Sequence, residues 1–189
     1  MGVGDHRPPG DRKRLQTGAM TTDDFSQERR DLLETLRTHR HFLRHTVQGL
    51  TEEQARTRST VSELTLGGLV KHVAATEAGW LDFLEHGPAS MAPPEDGDYS
   101  AWEDGFRLTD DETLAGALER YDEVAARGDA LVASVDLDHA WPLPPAPWFE
   151  PGATRTARRV FTHIVAETAQ HSGHADIIRE AIDGQKTMG

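Results

Sequence analysis

The stretch 163-HIVAETAQHSGH-174 lies inside what otherwise reads as a long amphipathic helix, yet it places three histidines and a glutamate in twelve positions. At 100° per residue, Val160, Ile164, Ile178 and Ile182 form one apolar wedge, and Glu167, His171 and His174 fall within it. A helix that turns ionisable groups toward its neighbours must pair, neutralise or coordinate them, because leaving them buried without partners is costly. The surrounding pattern predicts a helix over roughly 154–183, with Gly184 as its stop.

Three further segments carry the same period. The spacing predicts a helix over roughly 23–49, striped by Phe25, Leu32, Leu36, Leu43, Val47 and Leu50, with Thr22 or Asp23 as its cap. A second, over roughly 66–86, has Leu66, Leu69, Val73, Trp80 and Leu84 inward, Thr65 as N-cap and Gly87-Pro88 as stop. A third, over roughly 111–134, is seamed by Leu114, Leu118, Tyr121, Ala125 and Val132. No stretch alternates as a strand. The expected fold is therefore all-α, a four-helix bundle, whose ligand and metal sites are built from inward side chains. Its two long Pro-rich connections, holding Trp102, Trp141 and Trp148, are expected to cover one end and line a pocket, although such rings more often serve as packing anchors.

Two imidazoles and a carboxylate suggest a metal site. Glu167 and His171 are four residues apart, about 40° in azimuth and about 6 Å in rise, so their tips can meet at one ion. His163 and His171 are about 12 Å apart along the axis, too far to share one. His72, on the flank of the second apolar stripe, is the best third donor. Glu77, within that stripe, is expected to orient an imidazole from the outer shell. A His, Glu, His set leaves a coordination position open for water or substrate. Other pairings, His171 with His174 or His163 with Glu167, remain open, as does a cluster satisfied by internal hydrogen bonds. His41 and His45 lie opposite the first stripe and are expected in solvent, whereas His39 faces inward.

The bulk properties narrow the function. At 189 residues the chain suits one domain, and with residues 1–20 holding four basic against two acidic side chains, the remainder carries slightly more than the whole net charge of −12. That repels phosphate backbones and argues against nucleic acid as a partner. Residues 1–20 have almost nothing to bury and read as a disordered leader, with Met20 as an alternative start, and 21–189 read as the bundle domain. Cysteine is absent, so any thiol chemistry needs an external thiol. No apolar run approaches a membrane span, and the expected compartment is the cytoplasm.

The segments LTLGGLVKHVAATEAGWLDFL and ARRVFTHIVAETAQHSGHADIIREAIDG, separated by a long acidic loop and a third helix, resemble the DinB-like metal-binding four-helix bundles over roughly residues 23–184. Within them the chain is most similar to the mycothiol S-transferases and the mycothiol-dependent maleylpyruvate isomerase-like proteins. The resemblance implies His72 as the second-helix ligand and Glu167 with His171 as the fourth-helix pair, Glu167 standing where most DinB-like bundles carry His. It implies a divalent ion, zinc first with nickel, manganese or iron as alternatives, and no catalytic residue beyond the ligands. His174, where many relatives carry Gln, and His163, Glu77 and Trp141 are assigned to the outer shell or pocket. The function implied is transfer of a low-molecular-weight thiol, mycothiol, to a small electrophile, with a homodimer as an option. A metal-dependent hydrolase or isomerase, and a non-enzymatic stress protein binding metal or small molecules, are the alternatives.

Overall fold

The computed structural model describes Met1 and residues 25–92, 104–146 and 149–187. The leader beyond Met1, with Met20, Thr22, Asp23, Trp102 and Trp148, lies outside them. The described elements are α1 (Gln27–Thr46), α2 (Glu52–Arg56), α3 (Leu66–His86), α4 (Leu114–Ser134), β1 (Ala140–Pro142), β2 (Thr154–Thr156) and α5 (Ala157–Asp183).

Each long helix starts on a hydroxyl. Ser26, Thr65, Thr113 and Thr156 accept from the backbone N–H of Arg29, Gly68, Gly116 and Arg159, satisfying donors that have no partner within the helix. The Ser26 cap, rather than one at 22 or 23, sets the start of α1. Gly87 and Gly184 close α3 and α5 with φ of 74° and 80°, backbone states that favour glycine. Three short elements escaped the periodicity. Helix α2 is only five residues, although Thr51 and Gln54 form a capping box, and β1 and β2 form an antiparallel pair of three residues each.

Side-chain pairs fix the directions of the helices. Arg29 reaches the Val132 and Val135 carbonyls and Arg44 pairs with Asp122, so α1 and α4 are antiparallel. Lys71 pairs with Glu112 just before α4, and Arg127 with Asp82 and Glu85, so α3 and α4 run parallel. Arg158 meets Glu28 while Arg179 bonds the Thr46 carbonyl, so α1 and α5 are parallel. The order is up, down, down, up.

A parallel pair needs a connection that travels back along a helix, about 31 Å for the 21 residues of α3. This accounts for the length of the first loop. It leaves the C-terminal end of α3 as a 3₁₀ turn, Gly87–Met91, and returns at the other end as a second, Asp104–Phe106. There the chain crosses α3 so closely that a Cβ on Gly68 would stand 2.0 Å from the Phe106 carbonyl oxygen. The second connection packs against the start of the first at the Gly87 end, where the Trp141 ring lies over Gly87.

The described core divides into two apolar clusters. One holds Leu33, Leu36, Leu81, Val132, Phe161 and Ile164, and the other Leu43, Val47, Leu69, Val73, Tyr121 and Ile178. Between them α1 contributes Arg40 and α3 contributes Glu77, which are 4% and 1% exposed. Arg40 donates to both oxygens of Glu77, from Nε at 3.2 Å and from Nη2, and Nη1 donates to Asp129 at 2.8 Å. A Cβ on Gly128 would lie 2.7 Å from both Arg40 and Glu77, so this glycine makes room for the pair. The expected role of Glu77 is corrected here: its carboxylate is taken by a guanidinium rather than an imidazole.

Removing one partner of a buried ion pair leaves the other uncompensated, at a cost of about 3–5 kcal/mol. Because Asp129 still holds Arg40, Glu77→Ala is expected near the lower bound, about 3 kcal/mol in urea denaturation at unchanged m-value. Glu77→Ala combined with Arg40→Met should recover part of that loss.

Candidate metal centre

His72 sits on the second turn of α3, and Glu167 and His171 one turn apart on α5. The helices run antiparallel, with Trp80 against His163 at 4.9 Å between ring centroids and His72 against His171 at 4.8 Å. Position 72 therefore comes level with position 171, which is why a donor from one helix meets a pair from the other.

The three residues each present one donor atom, and these atoms all lie within 4.8 Å of one another. His171 Nε2 is 3.6 Å from Glu167 Oε2. Ligands at zinc-like bond lengths in a tetrahedron stand about 3.3 Å apart, so the donor set fits a small divalent cation after modest closing. All three side chains are half-buried.

Burial also sets the protonation state. It pushes the His72 pKa down to about 4, helped by His171 and opposed by Glu167. The same cause lowers His171 and His163, again against the pull of Glu167. Both imidazoles of the set are therefore neutral at pH 7, the form that can coordinate a metal.

The surroundings differ from expectation in several places. His163 Nε2 lies 3.7 Å from Glu167 Oε1, so the carboxylate spans two imidazoles, yet His163 stands outside the three-residue set. His174 Nδ1 lies 3.4 Å from His171 Nδ1. Trp141 is corrected to a packing anchor at the other end of α3: its indole N–H donates to the Leu84 carbonyl at 3.2 Å, and its ring covers Gly87. His41 is exposed as expected, whereas His45 and His39 are half-buried. A second acidic cluster, Asp82, Glu85 and His86, is largely exposed and two of its carboxylates hold Arg127. An open groove of about 640 Å³ between α3 and α4, lined by Lys71, Ala74, Ala78, Gly116 and Arg120, includes none of the three donors.

Two neighbours of His72 were missed. Phe106 stacks on its ring at 3.9 Å with a 20° tilt, and Thr76 Oγ1 lies 3.4 Å from its Nε2. Thr76 follows from i, i+4 spacing. Phe106 had no comparable signal, being brought there by the return of a long loop.

Fold and donor set together define a DinB-like helical bundle with a candidate metal site between α3 and α5. Residues 31–184 match the mycothiol-S-transferase family, and the chain belongs to it. The crystal structure of the conserved protein of locus from Enterococcus faecalis superposes with a TM-score of 0.63 at 15% identity, covering 88% of this chain and all of that one. At that identity the likeness speaks to fold alone. No curated protein matches the chain. Among the described residues no helix is long and apolar enough to cross a membrane.

A histidine whose pKa is lowered by folding binds protons more tightly in the unfolded chain. Stability is then complete above the unfolded value near 6.5 and falls as pH drops toward about 4. Metal-free protein should therefore melt progressively lower from pH 7 to pH 5, and His72→Gln should show a smaller drop over the same range. Equal drops in the two proteins would place the acid sensitivity elsewhere.

Proposed function

We propose that this protein is a metal-dependent S-transferase that joins a low-molecular-weight thiol, mycothiol, to a small electrophile. The observation that carries the reading is the convergence of His72, Glu167 and His171 from two antiparallel helices, at separations suited to one ion. Membership of the mycothiol-S-transferase family supports the thiol. The cysteine-free sequence agrees with a thiol brought from outside.

In this reading two neutral imidazole nitrogens and the Glu167 carboxylate hold a divalent ion, zinc first by donor type, with nickel, manganese and iron also admitted by nitrogen and oxygen ligands. Such an ion would supply Lewis acidity, favouring thiolate over thiol at neutral pH. The protein's own contribution is orientation. Glu167 and His171 are fixed one turn apart on a helix anchored at both ends by Arg158 and Arg179. Phe106 stacks along one face of the His72 ring and limits its rotation.

The test is metal content by mass spectrometry of purified wild type, His72→Ala and His171→Ala. About one ion per chain is expected in wild type, with loss in both variants. Loaded wild type should then consume an electrophile such as monobromobimane faster with mycothiol than without it, by at least about tenfold, or about 1.4 kcal/mol in barrier. Metal-dependent turnover that ignores thiol would indicate hydrolysis or isomerisation instead. Absence of metal after zinc reconstitution would leave a non-enzymatic binder.

A further inference from the structure

The contact between His174 and His171 has a chemical direction. A neutral imidazole carries one N–H and one bare nitrogen, so two Nδ1 atoms at 3.4 Å can share a hydrogen bond in only two ways. If His174 donates, the His171 proton resides on Nε2, the nitrogen that faces Glu167 at 3.6 Å, and His171 has no lone pair to offer there. If His171 donates from Nδ1, its Nε2 lone pair is free toward the donor cluster.

We infer that His174 is a positioning residue: its bare Nδ1 accepts from His171 Nδ1–H and so selects the tautomer in which His171 Nε2 is the metal donor. This rests on the metal reading above. Metal-bound histidines commonly donate their second N–H to a carboxylate or a backbone carbonyl. Here another imidazole on the same helix supplies the acceptor, since i, i+3 spacing brings the rings to 5.4 Å between centroids. His174 itself lies outside the three-donor group and acts through His171. The same bond fixes its own proton on Nε2, so selecting the tautomer moves no net proton to or from the site.

The arrangement gives a test that separates a specific acceptor from mere bulk. Asparagine carries its amide oxygen on Cγ, as histidine carries Nδ1, whereas glutamine extends one carbon further and matches Nε2. Zinc affinity would be measured by competition with a chromophoric chelator for wild type, His174→Ala, His174→Asn and His174→Gln. Melting curves of the metal-free proteins would accompany it. His174→Ala is expected to weaken zinc binding by about 10- to 100-fold, His174→Asn to recover most of that loss, and His174→Gln to recover little. ¹⁵N-edited spectra of the zinc-loaded wild type should show His171 protonated on Nδ1 and coordinated through Nε2.

Affinity unchanged in His174→Ala, equal rescue by Asn and Gln, or His171 coordinated through Nδ1 would each overturn the inference while leaving the metal site standing. Failure of wild type to bind zinc would overturn the metal reading and this inference together. If His174→Ala fails to fold, the comparison of Asn with Gln still decides.

Discussion

The bundle is organised around a buried charge pair. Arg40 on α1 and Glu77 on α3 meet between the two apolar clusters, and Asp129 on α4 completes the arginine's bonding. Apolar contacts tolerate small slides of one helix along another, but a guanidinium and a carboxylate buried together do not, because each is costly unless the other is in place. The pair therefore sets the height of α3 against α1 and α4. On the opposite diagonal Tyr121 and Thr168 occupy the same polar level, and burial together with the Glu77 charge raises the tyrosine's pKa. Thr168 follows Glu167 directly, so the layer that fixes helix height adjoins the α5 carboxylate of the candidate site. His72 lies five residues before Glu77, and its level relative to His171 depends on the same registration.

The second constraint is topological. Since α3 and α4 run parallel, the chain between them must return along the bundle. Its arrival over Gly68 places Phe106 against His72. Gly68 is thus significant for what it lacks, as any larger side chain would displace the backbone of residue 106. The loop that the topology requires becomes one wall of the donor cluster, while the Trp141 hairpin closes the opposite end of α3 and touches none of the donors.

Much of this was legible in the sequence because it follows from local rules. Three of the four long helices were delimited to within three residues by the Thr65 cap, the stop glycines or the apolar period. Glu167 and His171 were legible as an i, i+4 pair, and His72 from its place beside an apolar stripe. Arg40 was not, even though it stands between Leu36 and Leu43 on the buried face of α1, because a charged residue in such a stripe reads as an interruption until its partner is known. Glu77 was misread for the complementary reason: its burial was legible, but its partner was 37 residues away in sequence. Phe106 and Trp141 depend on where long loops land, which no periodicity encodes.

The candidate donor cluster and the core packing are consequently linked. The donors come from α3 and α5, which are also tied through Trp80 and His163 one or two turns along. An ion between them would add a cross-link beside the polar layer. It would have little reorganisation to impose, since burial already keeps His72 and His171 neutral and Glu167 lies within 4 Å of the His171 nitrogen. A site formed before metal arrives retains most of the binding free energy for the ion rather than for folding the protein around it. Without an ion the half-buried donors interrupt an apolar seam, and the polar contacts of the two imidazoles, His171 with His174 and His72 with Thr76 at 3.4 Å each, are long ones. The donor cluster and the polar layer meet on α5, where Glu167 precedes the buried Thr168, so a displacement of that helix would disturb both.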